Sequence, residues 1–216
     1  MNLVKFVKNR IDPVIPYLKN KTVLDIGCVG MGKHDTMGGK NWLFGITNKL
    51  SKRVVGIDIN EKGVRELVSL GYNAQVINAE EPFDLNEKFE IITAEEVIEH
   101  LSNLGIFLEN VKRHLTGEGL FILTSPNAIS HSFYLQRLLY GKISDVSLSS
   151  HTHWHTEETL RSLLQKHGFK ILKIELMHPE PAEPKWWYFL VKIIWWFVPN
   201  KFARNILVLA IVDTNE

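Results

Sequence analysis

Short apolar runs alternate with amphipathic ones along most of the chain. Val-, Ile- and Leu-rich stretches at 21–27 (KTVLDIG), 53–60 (RVVGIDIN), 73–78 (NAQVIN), 89–95 (FEIITAE) and 119–126 (GLFILTSP) predict strands. Helical periodicity falls between them, at 42–50, 61–70 and 104–115. Strands that are apolar throughout are expected where both faces of a sheet are covered. The pattern therefore predicts an α/β fold, a doubly wound and mostly parallel sheet with helices on both faces. Further along, Thr156 followed by Glu157, Glu158 and a periodic run to Gly168 predicts a helix with its own start and stop. FKILKIELM (169–177) predicts a sixth strand and NILVLAIVD (205–213) a seventh, the last running antiparallel.

Composition narrows the reading. A chain of 216 residues, 45% hydrophobic, suits one domain with a sizeable core, with cap elements at 127–150 and an aromatic insertion at 179–204. The net charge is +1, which argues against nucleic acid as an obligatory partner. The single cysteine, Cys28, allows no internal disulfide and fits a reducing compartment, so a cytoplasmic setting is expected. The first 20 residues carry charges throughout and lack the apolar core of a signal peptide. The longest apolar run, 186–198, is interrupted by Lys192 and is shorter than the ~20 residues of a membrane span. Its Trp-rich stretch at 186–197 has three readings. It can pack as a lid, form a homodimer interface, or lie on a membrane surface, the inner face for a cytoplasmic protein.

The chemistry begins at VLDIGCVGMGKHDTMGG (23–39), where an apolar strand meets an acid, Asp25, and then glycines. A glycine without Cβ lets the chain turn sharply and approach a ligand. A dinucleotide fold would want G-x-G-x-x-G, but Gly27, Gly30 and Gly32 read G-x-x-G-x-G. No catalytic Tyr/Lys pair accompanies them. A nicotinamide-dependent oxidoreductase is thus the weaker reading. An acid two residues before the first glycine, and a second acid, Asp58, ending the next strand, suit another nucleotide-like cofactor. A carboxylate offers two oxygens to a pair of ribose hydroxyls.

DIGCVGM, VVGIDIN, INAEEPF, FEIITAEEVIEHLSN and HLTGEGLFILTSPN, in that order, resemble the motifs of class I S-adenosylmethionine-dependent methyltransferases. The resemblance covers about residues 20–178 and implies a Rossmann-like, seven-stranded sheet. It implies that Asp25, Gly27, Cys28, Asp58, Ile59, Asn78, Ala79, Glu80, Ala94 and Glu95 surround S-adenosylmethionine. Asp25 would face the ammonium, Asp58 the ribose, and the 78–80 turn the adenine. Val29 and Met31 stand where the family carries glycines. That substitution keeps a non-catalytic regulator or scaffold as the alternative to an enzyme.

The E-V-I-E-H element resembles the branch with ubiquinone-biosynthesis O-methyltransferases, small-RNA 2′-O-methyltransferases and glycan-cluster methyltransferases. It implies catalytic roles for Glu96, Glu99 and His100, which share one face if the segment is helical. The downstream SSHTHWHT contains His151, His153 and His155. By resemblance, Glu96, Glu99, His100 and His151 would hold Mg²⁺ or Mn²⁺, a choice that fits hard oxygen ligands with one or two imidazoles. Without a metal, His100 would be the general base. The resemblance implies methyl transfer to oxygen, with a hydroxylated small molecule, sugar or lipid-linked saccharide as acceptor. The N-terminal DPVIPYLKN (12–20) is expected to form a short helix closing the cofactor side.

Overall fold

The computed structural model describes residues 5–30, 37–39, 41–141, 151–179 and 200–214. Among them, eight strands form one sheet in the order β1-β7-β8-β6-β5-β2-β3-β4. These are β1 (Lys5–Val7), β2 (Thr22–Ile26), β3 (Arg53–Asp58), β4 (Ala74–Val76), β5 (Phe89–Glu95), β6 (Leu115–Pro126), β7 (Phe169–Pro179) and β8 (Asn205–Val212). Only β8 runs against its neighbours, pairing antiparallel with both β6 and β7. The sheet is Rossmann-like, as expected, with one strand more than the seven read from sequence. The extra strand, β1, is three residues long and pairs parallel with the end of β7. So short a run carries no periodicity of its own.

Side-chain alternation explains the two covered faces. Leu24, Val55, Ile92, Phe121, Leu123, Ile206 and Val208 pack on one side with Phe107, Leu108 and Val111 of α3 (Leu104–His114) and with Leu160 and Leu164 of α5 (Glu157–Lys166). Their strand neighbours Val23, Val54, Ile91, Ile122, Leu207 and Leu209 pack on the other side. There they meet Leu43 and Phe44 of α1 (Leu43–Leu50), Val64 and Leu67 of α2 (Glu61–Ser69), and Ile11, Val14 and Leu18. Successive strand residues point to opposite faces, so one apolar run supplies both cores.

Three of the helices, α2, α3 and α5, start where a side chain takes up a free backbone N–H. Asn60 Oδ1 accepts from Gly63 N at 3.0 Å to begin α2, and Asn103 Oδ1 accepts from Ile106 N at 3.3 Å to begin α3. Thr156 and Thr159 exchange bonds in a capping box that begins α5. A further helix, α4 (His131–Tyr140), lies within the predicted cap at 127–150.

Two expectations need correction. Residues 12–20 do contain a short 3-10 turn, Ile15–Tyr17, but it lies against the amino-terminal ends of the strands, near Lys21, Glu90 and Leu120. That is the end of the sheet opposite the cofactor side. Glu96 to His100 is also not an α-helix. Glu96 has a φ of 52° and a 3-10 turn follows at Ile98–His100. The aromatic stretch at 186–197 lies outside the described residues.

Asn110, on α3, ties this framework to the loop after β4. Its amide donates to Ala79 O (3.1 Å) and Glu81 O (2.8 Å), and its Oδ1 accepts from Phe83 N (3.4 Å). Asn110→Ala leaves several buried polar groups without partners, and a loss of about 2 kcal/mol or more is expected. An unchanged midpoint in urea unfolding would show that the carboxamide is dispensable.

Candidate active site

The strand order reverses between β2 and β5, so the chain leaves their carboxyl ends in opposite directions. An open α/β sheet binds its ligands at that crevice. Here it opens into a cavity of about 660 Å³. Asp25 and Gly27 stand at its base, Asp58 and Ile59 on one wall, Glu95, Glu96, Glu99 and His100 on another.

Asp25 ends a buried strand and is only 3% exposed. Its Oδ2 has no hydrogen-bond partner among the described residues. Burial, then the nearby Glu95 carboxylate, push its pKa well above the usual carboxylate range, against the bond from Thr93. An orphaned buried carboxylate oxygen is costly unless a cation or donor meets it. Gly27 has a φ of 85°, and a Cβ there would come within 2.6 Å of Val97 Cγ2. This position therefore requires glycine, whatever the departures later in the loop.

Asp58 closes β3 with both oxygens engaged. Oδ2 accepts from Val29 N at 3.0 Å and Oδ1 from Asn60 N at 2.9 Å. Each oxygen keeps a second lone pair for a ligand hydroxyl. Ile59 presents an exposed apolar side chain at the cavity rim. Asn78 accepts from Glu80 N at 3.0 Å, shaping the turn that leads to Ala79. Glu80 in turn accepts from the backbone of Ser102 and Asn103, so it braces two loops against each other.

Two predicted cofactor residues have other duties. Ala94 is fully buried within one apolar core and does not line the cavity. Its strand position places it on the face opposite to Asp25's partner Thr93. Cys28 does line the cavity, but burial raises its thiol pKa, so it is no thiolate nucleophile. Its carbonyl accepts from Trp42 Nε1 at 2.8 Å, which seats Trp42 beneath the loop. Glu95 forms an ion pair with Arg10 at 2.8 Å. Arg10 also lines the cavity and was not anticipated; a lone arginine in a stretch without a motif gives no signal.

The E-x-x-E-H residues separate into two roles. Glu96 Oε1 accepts from Thr124 Oγ1 (3.2 Å) and from Asn205 Nδ2 (3.1 Å). Glu99 is 1% exposed, and neither of its carboxylate oxygens has a hydrogen-bond partner among the described residues. Burial, then the adjacent Glu96, hold its pKa well above the ordinary range. Ligand atoms of Glu99, His100 and His151 all lie within 4.8 Å of one another. Three of the four residues proposed as metal ligands thus converge, and Glu96 stands apart from them.

Thr152 brings His151 there. Its N–H donates to Glu99 O at 2.8 Å and its hydroxyl to Leu101 O at 2.8 Å, stitching one loop onto the other. His153 Nδ1 bonds to Leu101 O at 2.8 Å, so that ring serves the stitch. His155 is buried, and burial together with His153 lowers its pKa to about 4. Of three closely spaced histidines, only the first reaches the cavity wall.

A methyltransferase-domain family matches residues 4–174, most of the chain. The chain belongs to that methyltransferase family. Among curated relatives, the mitochondrial ubiquinone biosynthesis O-methyltransferase of Rattus norvegicus is 27% identical over 199 residues, covering 86% of this chain and 54% of that protein. The human counterpart is 26% identical over 199 residues, covering 86% and 50%. This methyltransferase chain spans about half the length of those relatives. Its fold is shared with an S-adenosylmethionine-dependent methyltransferase from Mesorhizobium loti (TM-score 0.63, 15% identity, covering 93% of this chain and 97% of that one). A second match, from Archaeoglobus fulgidus, has TM-score 0.61 and 21% identity, covering 94% and 91%. The nicotinamide reading finds no counterpart in these similarities.

Family membership implies S-adenosylmethionine, and the residues fit it. The orphaned Asp25 oxygen suits an ammonium, and the spare lone pairs of Asp58 suit a ribose diol. Because ammonium meets only ionised Asp25, and burial favours the protonated form, cofactor affinity should rise with pH above the usual carboxylate range. Calorimetric titration with S-adenosylhomocysteine is expected to show that slope in the wild type and a flattened one in Asp25→Asn. An equal slope in both would remove Asp25 from the ammonium site.

Proposed function

We propose that the chain transfers a methyl group from S-adenosylmethionine to a hydroxyl oxygen. The observation that carries this reading is Glu99: a buried, unpartnered carboxylate beside His100 and His151, in the wall of the cavity that also holds Asp25 and Asp58. The relatives named as O-methyltransferases support transfer to oxygen. The acceptor expected from the sequence is a hydroxylated small molecule, sugar or lipid-linked saccharide. The names of those relatives add a hydroxylated compound of ubiquinone biosynthesis as the competing acceptor.

When bound, the cofactor supplies a methyl group on a positively charged sulfur. The protein's residues do the rest. Asp58, Ile59 and the 78–80 turn hold the adenosine end, while Asp25 and Glu95 face the ammonium and Arg10 the carboxylate. Glu99, His100 and His151 then form the acceptor side of the cavity. His100 takes the hydroxyl proton as the oxygen attacks in line, and Glu99 stabilises the imidazolium that results. Glu96, held by Thr124 and Asn205, keeps the turn that carries Glu99 in place.

A second reading has a specific observation in its favour. One carboxylate and two imidazoles with ligand atoms within 4.8 Å of one another also fit a divalent cation such as Mn²⁺ or Mg²⁺. Such an ion would supply Lewis acidity toward the acceptor oxygen.

Glu99→Gln is expected to bind S-adenosylhomocysteine as the wild type does, yet to lose about 100-fold or more in methyl transfer from labelled cofactor to a panel of hydroxylated acceptors. Wild-type activity in that variant would sink the assignment. Binding without transfer by the wild type to any acceptor would favour the regulator. For the metal, Mn²⁺ binding followed by electron paramagnetic resonance should be abolished in His151→Ala, and chelation should stop turnover. Full turnover in chelator leaves His100 as the base.

A further inference from the structure

The cavity has a second arginine, and its surroundings differ from those of Arg10. Arg204 lines the cavity and is exposed, and its guanidinium makes no hydrogen bond or ion pair among the described residues. The cavity does not lack acids. Asp25, Asp58, Glu80, Glu95, Glu96 and Glu99 all line it. Each is committed elsewhere: Glu95 to Arg10, Glu96 to Asn205 and Thr124, Asp58 and Glu80 to backbone N–H groups, Asp25 and Glu99 to burial. Pro126, Ser130, Ser132, Phe133 and Asn205 line the cavity as well, and Glu96, the acid that reaches Asn205, is held by that amide and by Thr124.

The backbone around Arg204 is also held in place, partly by continuation of the β6–β8 pairing. Asn127, 1% exposed, accepts nothing from the sheet but donates its amide to Lys201 O (2.9 Å) and Ala203 O (2.8 Å). Its backbone N–H donates to Arg204 O at 2.8 Å. His131 Nδ1 donates to Phe202 O at 3.0 Å. The 3-10 turn Asn200–Phe202 and the residues after it are thereby clamped against the start of α4. One residue further on, Asn205 reaches Glu96 at 3.1 Å, so the arginine is the chain neighbour of a residue that holds the turn carrying Glu99. The two imidazoles nearby do not share its charge. Burial lowers the pKa of His131, and burial, then His131 and Arg204, lower that of His178 to about 3. Arg204 is therefore, with Arg10, a permanent cation in the lining of the cavity.

We propose that Arg204 selects the acceptor: the molecule to be methylated carries an anionic group, a carboxylate or a phosphate, that pairs with this guanidinium while its hydroxyl faces Glu99, His100 and His151. The inference rests on the methyl-transfer reading. A planar guanidinium matches a carboxylate or phosphate with two parallel hydrogen bonds and so fixes orientation as well as affinity. Ser132, on the same wall, adds a hydroxyl donor. An uncharged sugar or alcohol would leave the arginine to water alone.

The test uses the full chain saturated with S-adenosylhomocysteine and three matched probes: benzoate, phenyl phosphate and benzyl alcohol, titrated by NMR or calorimetry. At least one anion should bind about tenfold or more tightly than benzyl alcohol, and the better of the two identifies the anion. Arg204→Gln should lose that preference while holding S-adenosylhomocysteine as the wild type does. Arg204→Lys, which keeps the charge without the fork, should retain part of it and stands in if the glutamine variant does not fold. Anions that bind no better than benzyl alcohol, or a preference that survives in both variants, overturn the proposal. Failure of the wild type to bind S-adenosylhomocysteine would instead strike the methyl-transfer reading itself.

Discussion

Two carboxylates, Asp25 and Glu99, are taken out of water, with one oxygen of the first and both of the second lacking a hydrogen-bond partner among the described residues. Desolvating an ionised carboxylate costs several kcal/mol, and such groups answer by holding a proton or by waiting for a ligand. Nothing in the packing of this sheet requires an acid at either place. The rest of the site follows from tolerating them. Asp25 is fixed by β2, which has β3 and β5 hydrogen-bonded on its two sides, so it cannot swing out to solvent. Glu99 is fixed by a 3-10 turn and by the 151–153 loop bound to its carbonyl. A rigid framework keeps both groups in an unfavourable state that a charged ligand relieves.

The means of fixing is the same throughout. Single amides and hydroxyls bind backbone groups of distant loops: Asn110 the turn after β4, Thr152 the 3-10 turn that carries Glu99, Asn127 the residues before β8. Loops usually carry function and move more than the elements they join. Here the loops around the cavity are tied down by bonds each of which spans dozens of residues in sequence. The left-handed Glu96 belongs to this scheme, since Asn205 and Thr124 hold it in a conformation that a β-carbon disfavours.

The two arginines of the cavity divide its charge. Arg10 answers Glu95 on the cofactor side, where several acids gather. Arg204 lines the same cavity and makes no ion pair among the described residues. With several acids and two arginines in its lining, the cavity suits ligands that carry charges of both signs.

The amino-acid sequence by itself determined the strands, the helices between them and the face each residue takes, because period-2 and period-3.6 burial are local properties. It also marked Asp25, Gly27 and Asp58, since strand ends and a glycine turn carry the same signal wherever they occur. It singled out His151 from His153 and His155 only by resemblance. Those three lie in one short run, and which of them enters the cavity depends on Thr152 binding residues some fifty positions earlier. Tertiary structure likewise decided that Glu96 supports while Glu99 is left bare, that Ala94 belongs to the core, and that β1 joins the sheet. It alone revealed Arg10 and Arg204. A charge has no period, and its role is set by which other charges the fold brings near it.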